Sequence, residues 1–330
     1  MAAVNSIISK DDYNGIRNKL VNVMGTGQAD YGWGQNTKIL SSAVTESDRV
    51  SMNDWGKLRY DIINAYVHIY GSQPTVAKVD EGYTIRYSNT FVPDTGQSPG
   101  TPTYTDAPVT QYDTWVNNIV SNRFTVGTGQ FSTSSPVTNF RTWNSGTSPT
   151  SWTSKITCEV KVEFATANEA RYFFNSGGQV RILSSRDNPS GSLGTDQALK
   201  WTNLLSSAGT RSFGGNLPSS SINWYRLTSS DQSWYSLNGS SPYGSNVYRI
   251  NARCDVSNNS NGSGRIGYFL VEFLDNYTDP GTPAPEDNVD GTFRVFASLS
   301  YADGNFIPTG TGPFSVTLPT VTVGNFLQIA

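Results

Sequence analysis

Hydrophobic residues in the first part of the chain recur at helical spacing. Tyr13, Ile16, Leu20 and Val23 form one stripe, preceded by Ser9 and Asp12 in the S-x-x-D pattern of a capping box and followed by Gly25, placed to end the helix. The same grammar recurs at Ser51 and Asp54, then Trp55, Leu58, Ile62 and Ile69, closed by Gly71. A third case opens at Thr110 with Asp113 and carries Tyr112, Trp115 and Ile119. Three amphipathic helices joined by irregular segments predict a small helical domain over residues 1–125.

Two loose stretches interrupt this pattern. Phe91 to Pro108 contains Pro93, Pro99, Pro102 and Pro108, and Gly127 to Thr153 is rich in Ser and Thr with Trp143 and Trp152 embedded. Residues 126–153 are accordingly expected to be linker-like. Beyond them the period changes to two. From Lys155 to Phe164 one face collects Ile156, Cys158, Val160, Val162 and Phe164, and the other collects Lys155, Thr157, Glu159, Lys161 and Glu163. That alternation marks an antiparallel strand with one buried face and one wet face.

Thr166 and Glu169 form another capping box ahead of a short helix ending at Gly177-Gly178, and Gln179 to Ser185 is a predicted strand. A second inserted helix is expected over Thr195 to Gly209, bearing Leu199, Leu204 and Leu205. Tyr248, Ile250, Ala252, Cys254 and Val256 alternate before an Asn/Ser/Gly loop at Ser257 to Gly264 that leads into Arg265 to Leu274, a hairpin with a long tip. Phe293 to Tyr301 alternates again, and Val321 to Ile329 is expected to make the last strand. The fold expected is mainly β with helices: a small N-terminal helical domain, then an antiparallel β-sandwich-like domain over 154–330 with helical insertions.

Composition narrows the function classes. Ser, Thr, Asn and Gly make up about two in five residues, above ordinary usage. Charged residues are 15% and aromatics 12%, which excludes a charged coiled coil and a typical disordered chain. With 23 basic against 26 acidic residues and no basic run, nucleic acid is not an expected partner. No stretch approaches the roughly 20 apolar residues of a membrane helix, so no membrane partner is expected. The start Met1-Ala2-Ala3-Val4-Asn5-Ser6 lacks the pattern of a secretory signal, and the Asn-x-Ser/Thr matches at Asn238, Asn258, Asn261 and Asn276 follow from composition.

Candidate chemistry is sparse. The single histidine, His68, lies between Val67 and Ile69 in the second helix, which favours a packed or interfacial role over a general base or metal ligand. There is no G-x-S-x-G elbow. Cys158 and Cys254 fall on apolar strand faces, as small hydrophobes or as a disulfide between strands. Asp275, Asp279, Glu286, Asp287 and Asp290 are a candidate calcium group or glycosidase pair, but Tyr277 breaks the EF-hand spacing, and a solvated loop is the plainer reading. Gly25-Thr26-Gly27 and Gly310-Thr311-Gly312 are turns that complete no phosphate-loop motif. Trp224-Tyr225 and Trp234-Tyr235 are candidate sugar-stacking residues, although neighbours in a strand point to opposite faces, so each pair is expected to give one core and one surface residue. No catalytic residue, metal ligand or cofactor is assigned.

Several stretches carry a family resemblance: Asp12-Tyr13-Asn14, Tyr31-Gly32-Trp33-Gly34-Gln35, Leu58 to Tyr66, Ala170-Arg171-Tyr172-Phe173-Phe174-Asn175-Ser176-Gly177-Gly178, Ser240 to Asn246, and Val289-Asp290-Gly291-Thr292-Phe293. Together they resemble virion structural proteins of contractile-tailed phages of marine cyanobacteria, from near residue 9 to about residue 325, with Arg171 to Gly178 the most specific part. The resemblance implies a non-enzymatic particle component located in the virion and assembled in the host cytoplasm. The expectation is a tail, neck or baseplate subunit that partners other virion structural proteins and forms a homo-oligomer. A receptor- or glycan-binding appendage contacting host surface glycan, a head-decoration protein and a carboxylate depolymerase are the alternatives.

Overall fold

The structure is a computed structural model. It describes residues 9–46, 49–76, 109–143, 152, 154–187, 196–215, 222–278, 289–302 and 314–329. The proline-rich stretch through Pro93, Pro99, Pro102 and Pro108 lies outside them. The chain divides into two compact units, one of residues 1–132, 175–177 and 302–316, the other of 133–174, 178–301 and 317–330.

The first unit is built on three helices, α1 (Lys10–Met24), α2 (Met52–Tyr70) and α3 (Val109–Ser121). Both strong capping boxes form: Ser9 accepts from the Asp12 amide while Asp12 accepts from the Ser9 amide, and Ser51 and Asp54 do the same. Each box satisfies amides that a helix start leaves without intrahelical partners. Gly71 closes α2 in the left-handed region. Thr110, by contrast, does not cap: α3 begins at Val109, and Thr110 is inside its first turn, where its carbonyl accepts from the Thr114 hydroxyl. Asp113 instead pairs with Lys19 of α1 at 2.7 Å. The apolar stripes meet in one core in which Tyr13 and Tyr112 each set an edge against Trp55.

Among the described residues the second unit contains two antiparallel sheets and two α-helices, α4 (Ala167–Asn175, whose last residue belongs to the first unit) and α5 (Asp196–Ala208). Strands β1 (Phe131–Thr133, whose first two residues belong to the first unit) and β2 (Val137–Trp143) precede β3 (Ser154–Glu163). The stretch expected to be linker-like therefore contains two strands, and β2 pairs along its whole length with β9 (Gly291–Ala302). The polar alternation in β2 is too exposed to show a hydrophobic period, which is why its pattern resembles a loop. β9 also pairs with β4 (Gln179–Asp187), which pairs with β5 (Arg211–Gly214). The other sheet runs from β3 through β8 (Ile266–Asp275) and β7 (Val247–Cys254) to β6 (Gln232–Asn238). The expected last strand is two short ones, β10 (Thr320–Val323) and β11 (Leu327–Ile329), broken at Gly324 and both paired with β3.

The alternating apolar faces of the two sheets meet each other. Phe273 of β8 lies 5.2 Å from Phe293 of β9, Phe269 lies 5.0 Å from Phe213 of β5, and Ser184 hydrogen-bonds Tyr248 at 2.9 Å. Trp201 of α5 packs against Trp152, Phe273 and Phe293; Leu204 and Leu205 of the same helix are buried, and Leu199 is exposed. On the opposite face of β8, Glu272 is enclosed by Lys155, Arg249 and Asn251. Burial pushes its carboxyl up, but the two cations hold it below the usual carboxylate range.

Candidate functional site

The residues singled out for chemistry do not converge. His68 is 4% exposed, its ring 4.3 Å from that of Trp33 and 4.9 Å from that of Phe314. Burial pushes its pKa down to about 3, against a hydrogen bond to the Ser176 main chain, so the imidazole is neutral and packed. Cys158 and Cys254 are both free thiols. Cys158 is opposite Val271 and Cys254 opposite Gly267, so they lie on strands separated by β8 and four residues out of register, and the disulfide alternative is overturned. Burial raises both thiols, Cys158 to about 12.

Of the acidic group, Asp279, Glu286 and Asp287 lie outside the described residues. Asp275 accepts from the Gln197 carboxamide at 2.6 Å, and Asp290 pairs with buried Arg186. Gly310-Thr311-Gly312 lies outside the described residues as well. The aromatic pairs depart from the expected alternation. Trp224 and Tyr225 are in a 3-10 turn, not a strand, with Trp224 fully buried. Trp234 is the extra residue of a β-bulge between Ser233 and Tyr235. The bulge turns both side chains toward the inner packing, Trp234 onto Phe213 and Tyr235 onto Tyr248.

What the fold does assemble, within the first unit, is the loop after α1. Its backbone turns back on the helix end: Trp33 donates to the Val23 carbonyl, Gly34 to Gly25 and Gln35 to Met24. The Trp33 indole donates to the carbonyls of Arg123 and Asn175, and the Asn175 carboxamide reaches the carbonyls of Ala29 and Gly32. Two of the stretches that carry the family resemblance, Tyr31 to Gln35 and Arg171 to Gly178, are thus joined at Asn175. The Gln35 carboxamide exchanges hydrogen bonds with the Ser315 main chain.

This buried knot supports a solvent-facing cleft of about 570 Å³, lined by Asn18 and Asn22 of α1 and by Thr26, Gln28, Tyr31 and Asn36. Gly25-Thr26-Gly27 is a turn, as its sequence indicates, and it shapes one side of the cleft. Asn18 and Asn22 belong to no recognisable motif in the sequence. Their signal is the spacing of four along the polar stripe of α1, which puts both on one face in the last turns before Gly25. Among the described residues, no three His, Cys, Asp or Glu side chains are grouped to hold a metal ion. No family model, curated protein or solved structure matches this chain.

Proposed function

We propose that the chain is a non-enzymatic structural subunit of a tailed-phage virion, carried on the tail, neck or baseplate. One observation supports this reading beyond the resemblance. Among the described residues, the candidate groups His68, Cys158 and Cys254 are buried in packing, and Asp290 is paired with buried Arg186. Met52 and Tyr60 of α2, each 45% exposed, are apolar surface of the kind that docks onto a neighbouring protein. The sandwich-like unit would repeat around a symmetry axis of the particle.

Immunogold electron microscopy of intact virions, with an antibody against this chain, tests the proposal. Gold at one place on the tail, neck or baseplate is the expected result. Gold on the head would move the chain to a decoration role. If intact and gently disrupted particles stay unlabelled by an antibody that recognises the native protein, the proposal fails.

A further inference from the structure

The cleft beside the loop after α1 is lined by side chains of one chemical kind. Asn22 and Gln28 present carboxamides, the Asn36 carboxamide is hydrogen-bonded to the Thr26 hydroxyl, the Asn18 oxygen accepts from Arg17, and Val21 and Tyr31 add apolar surface. None of the lining residues carries a formal charge. A carboxamide donates and accepts within one planar group, which matches adjacent hydroxyls that also do both. The side chains of Asn22 and Gln28 are exposed and, among the described residues, hydrogen-bond to nothing else in the chain.

An anionic ligand fits less well. Arg123 has its guanidinium 4.2 Å from the Tyr31 ring, but its charge is paired with the Asp30 carboxylate, and it also donates to the Asp30 and Val120 carbonyls. Lys19 is paired with Asp113. Arg17 touches the cleft through the Asn18 carboxamide, and its Nε and other terminal nitrogen donate to the Ser41 carbonyl. Among the described residues the cleft lining itself holds no cation, so a phosphate would find no counter-charge within it.

The cleft is also held in shape before any ligand arrives. Gly27 has φ +51, and a Cβ there would lie 2.5 Å from the Tyr31 main chain and 2.6 Å from the Asn22 carbonyl. The conformation that presents Thr26 and Gln28 is set by glycine geometry and by the Asn175 hydrogen bonds beneath it, so little ordering is left for a ligand to induce. The volume falls within the range of about 300–1,000 Å³ that small-molecule sites occupy.

We propose that this cleft binds an uncharged saccharide, with the Asn22 and Gln28 carboxamides hydrogen-bonding ring hydroxyls and Tyr31 contributing an aromatic surface. The predominantly polar, open lining implies weak binding, on the order of millimolar. The site is independent of the virion reading: a titration reports the cleft, and a gold label reports the particle.

Saturation-transfer NMR on the full chain with glucose, galactose and N-acetylglucosamine, and with glucose 6-phosphate as the charged probe, tests it. At least one neutral sugar should receive transfer, and the Asn22→Ala/Gln28→Ala double variant, with an unchanged melting curve, should bind it roughly tenfold more weakly. Amide shifts in the wild type should centre on residues 22–31, a readout that does not depend on the variant folding. Absence of transfer to all three neutral sugars would overturn the proposal. So would undiminished binding in the folded double variant, shifts confined elsewhere, or tighter binding of glucose 6-phosphate than of glucose.

Discussion

Arg186 holds Asp290 twice. Its Nε donates to the Asp290 carbonyl at 2.6 Å, and a terminal nitrogen meets the carboxylate at 2.8 Å. The remaining terminal nitrogen donates to the Thr202 hydroxyl on α5 at 3.0 Å, so one side chain joins β4, the entry to β9 and a helix. Gly291 makes room for it: φ is +104, and a Cβ at that position would lie 2.7 Å from the Arg186 Nε. Burial pushes the guanidinium pKa down while Asp290 pushes it back up. The stretch Val289 to Phe293 thus serves to enclose a buried ion pair.

Removing one partner of such a pair leaves an uncompensated charge out of water. Asp290→Ala is expected to lower unfolding stability by about 3–5 kcal/mol, measured as a shift in urea midpoint with an unchanged slope. A loss below about 1 kcal/mol would mean that water reaches Arg186 and screens it, as it does for surface pairs.

The His68 ring titrates at about 3 in the folded protein and near its ordinary value of about 6.5 when unfolded. Between those values the unfolded chain binds the proton and the folded chain does not, so stability falls as the pH drops from about 6.5 toward 3. Substitution by Phe keeps a ring between Trp33 and Phe314 and removes the titration. The stability difference between wild type and His68→Phe should therefore shift against the wild type by a few kcal/mol across that window. Parallel pH curves for the two proteins would show that the ring is solvated.

Two glycines should respond in opposite directions to alanine. Gly32 has φ +98, and an added Cβ would lie 2.1 Å from the Thr26 carbonyl oxygen, so Gly32→Ala must displace the loop that carries Trp33. Gly15 is exposed in α1 with nothing within 4 Å of an added Cβ, so Gly15→Ala should stabilise by about 0.4–1 kcal/mol. Thermal unfolding of the two variants checks both signs. A neutral or stabilising Gly32→Ala would mean that this loop is not held in its left-handed turn.

The loop after α1 is half legible in the sequence. Tyr31 to Gln35 and Gly25 to Gly27 stand out by their glycines and aromatics, because turns that need left-handed backbone draw on few residue types. Their partners do not stand out. Asn175 is an ordinary polar residue at the end of a helix until the fold brings it to the carbonyls of Ala29 and Gly32.

The sequence by itself determined what is local. The capping boxes at Ser9, Ser51 and Thr166, the apolar stripes of α1 and α2, and the alternation of β3, β7 and β9 each depend on residues within a turn or a few strand positions. Only the tertiary structure decided that Phe314 joins the helical core, that β2 is a strand along β9, and that the Trp234 bulge turns two neighbouring aromatics inward. It also decided that Cys158 and Cys254 lie too far apart to bond. These outcomes hang on pairings across tens to hundreds of residues. In such pairings register and burial are set by what the distant partner presents, and no local period records that.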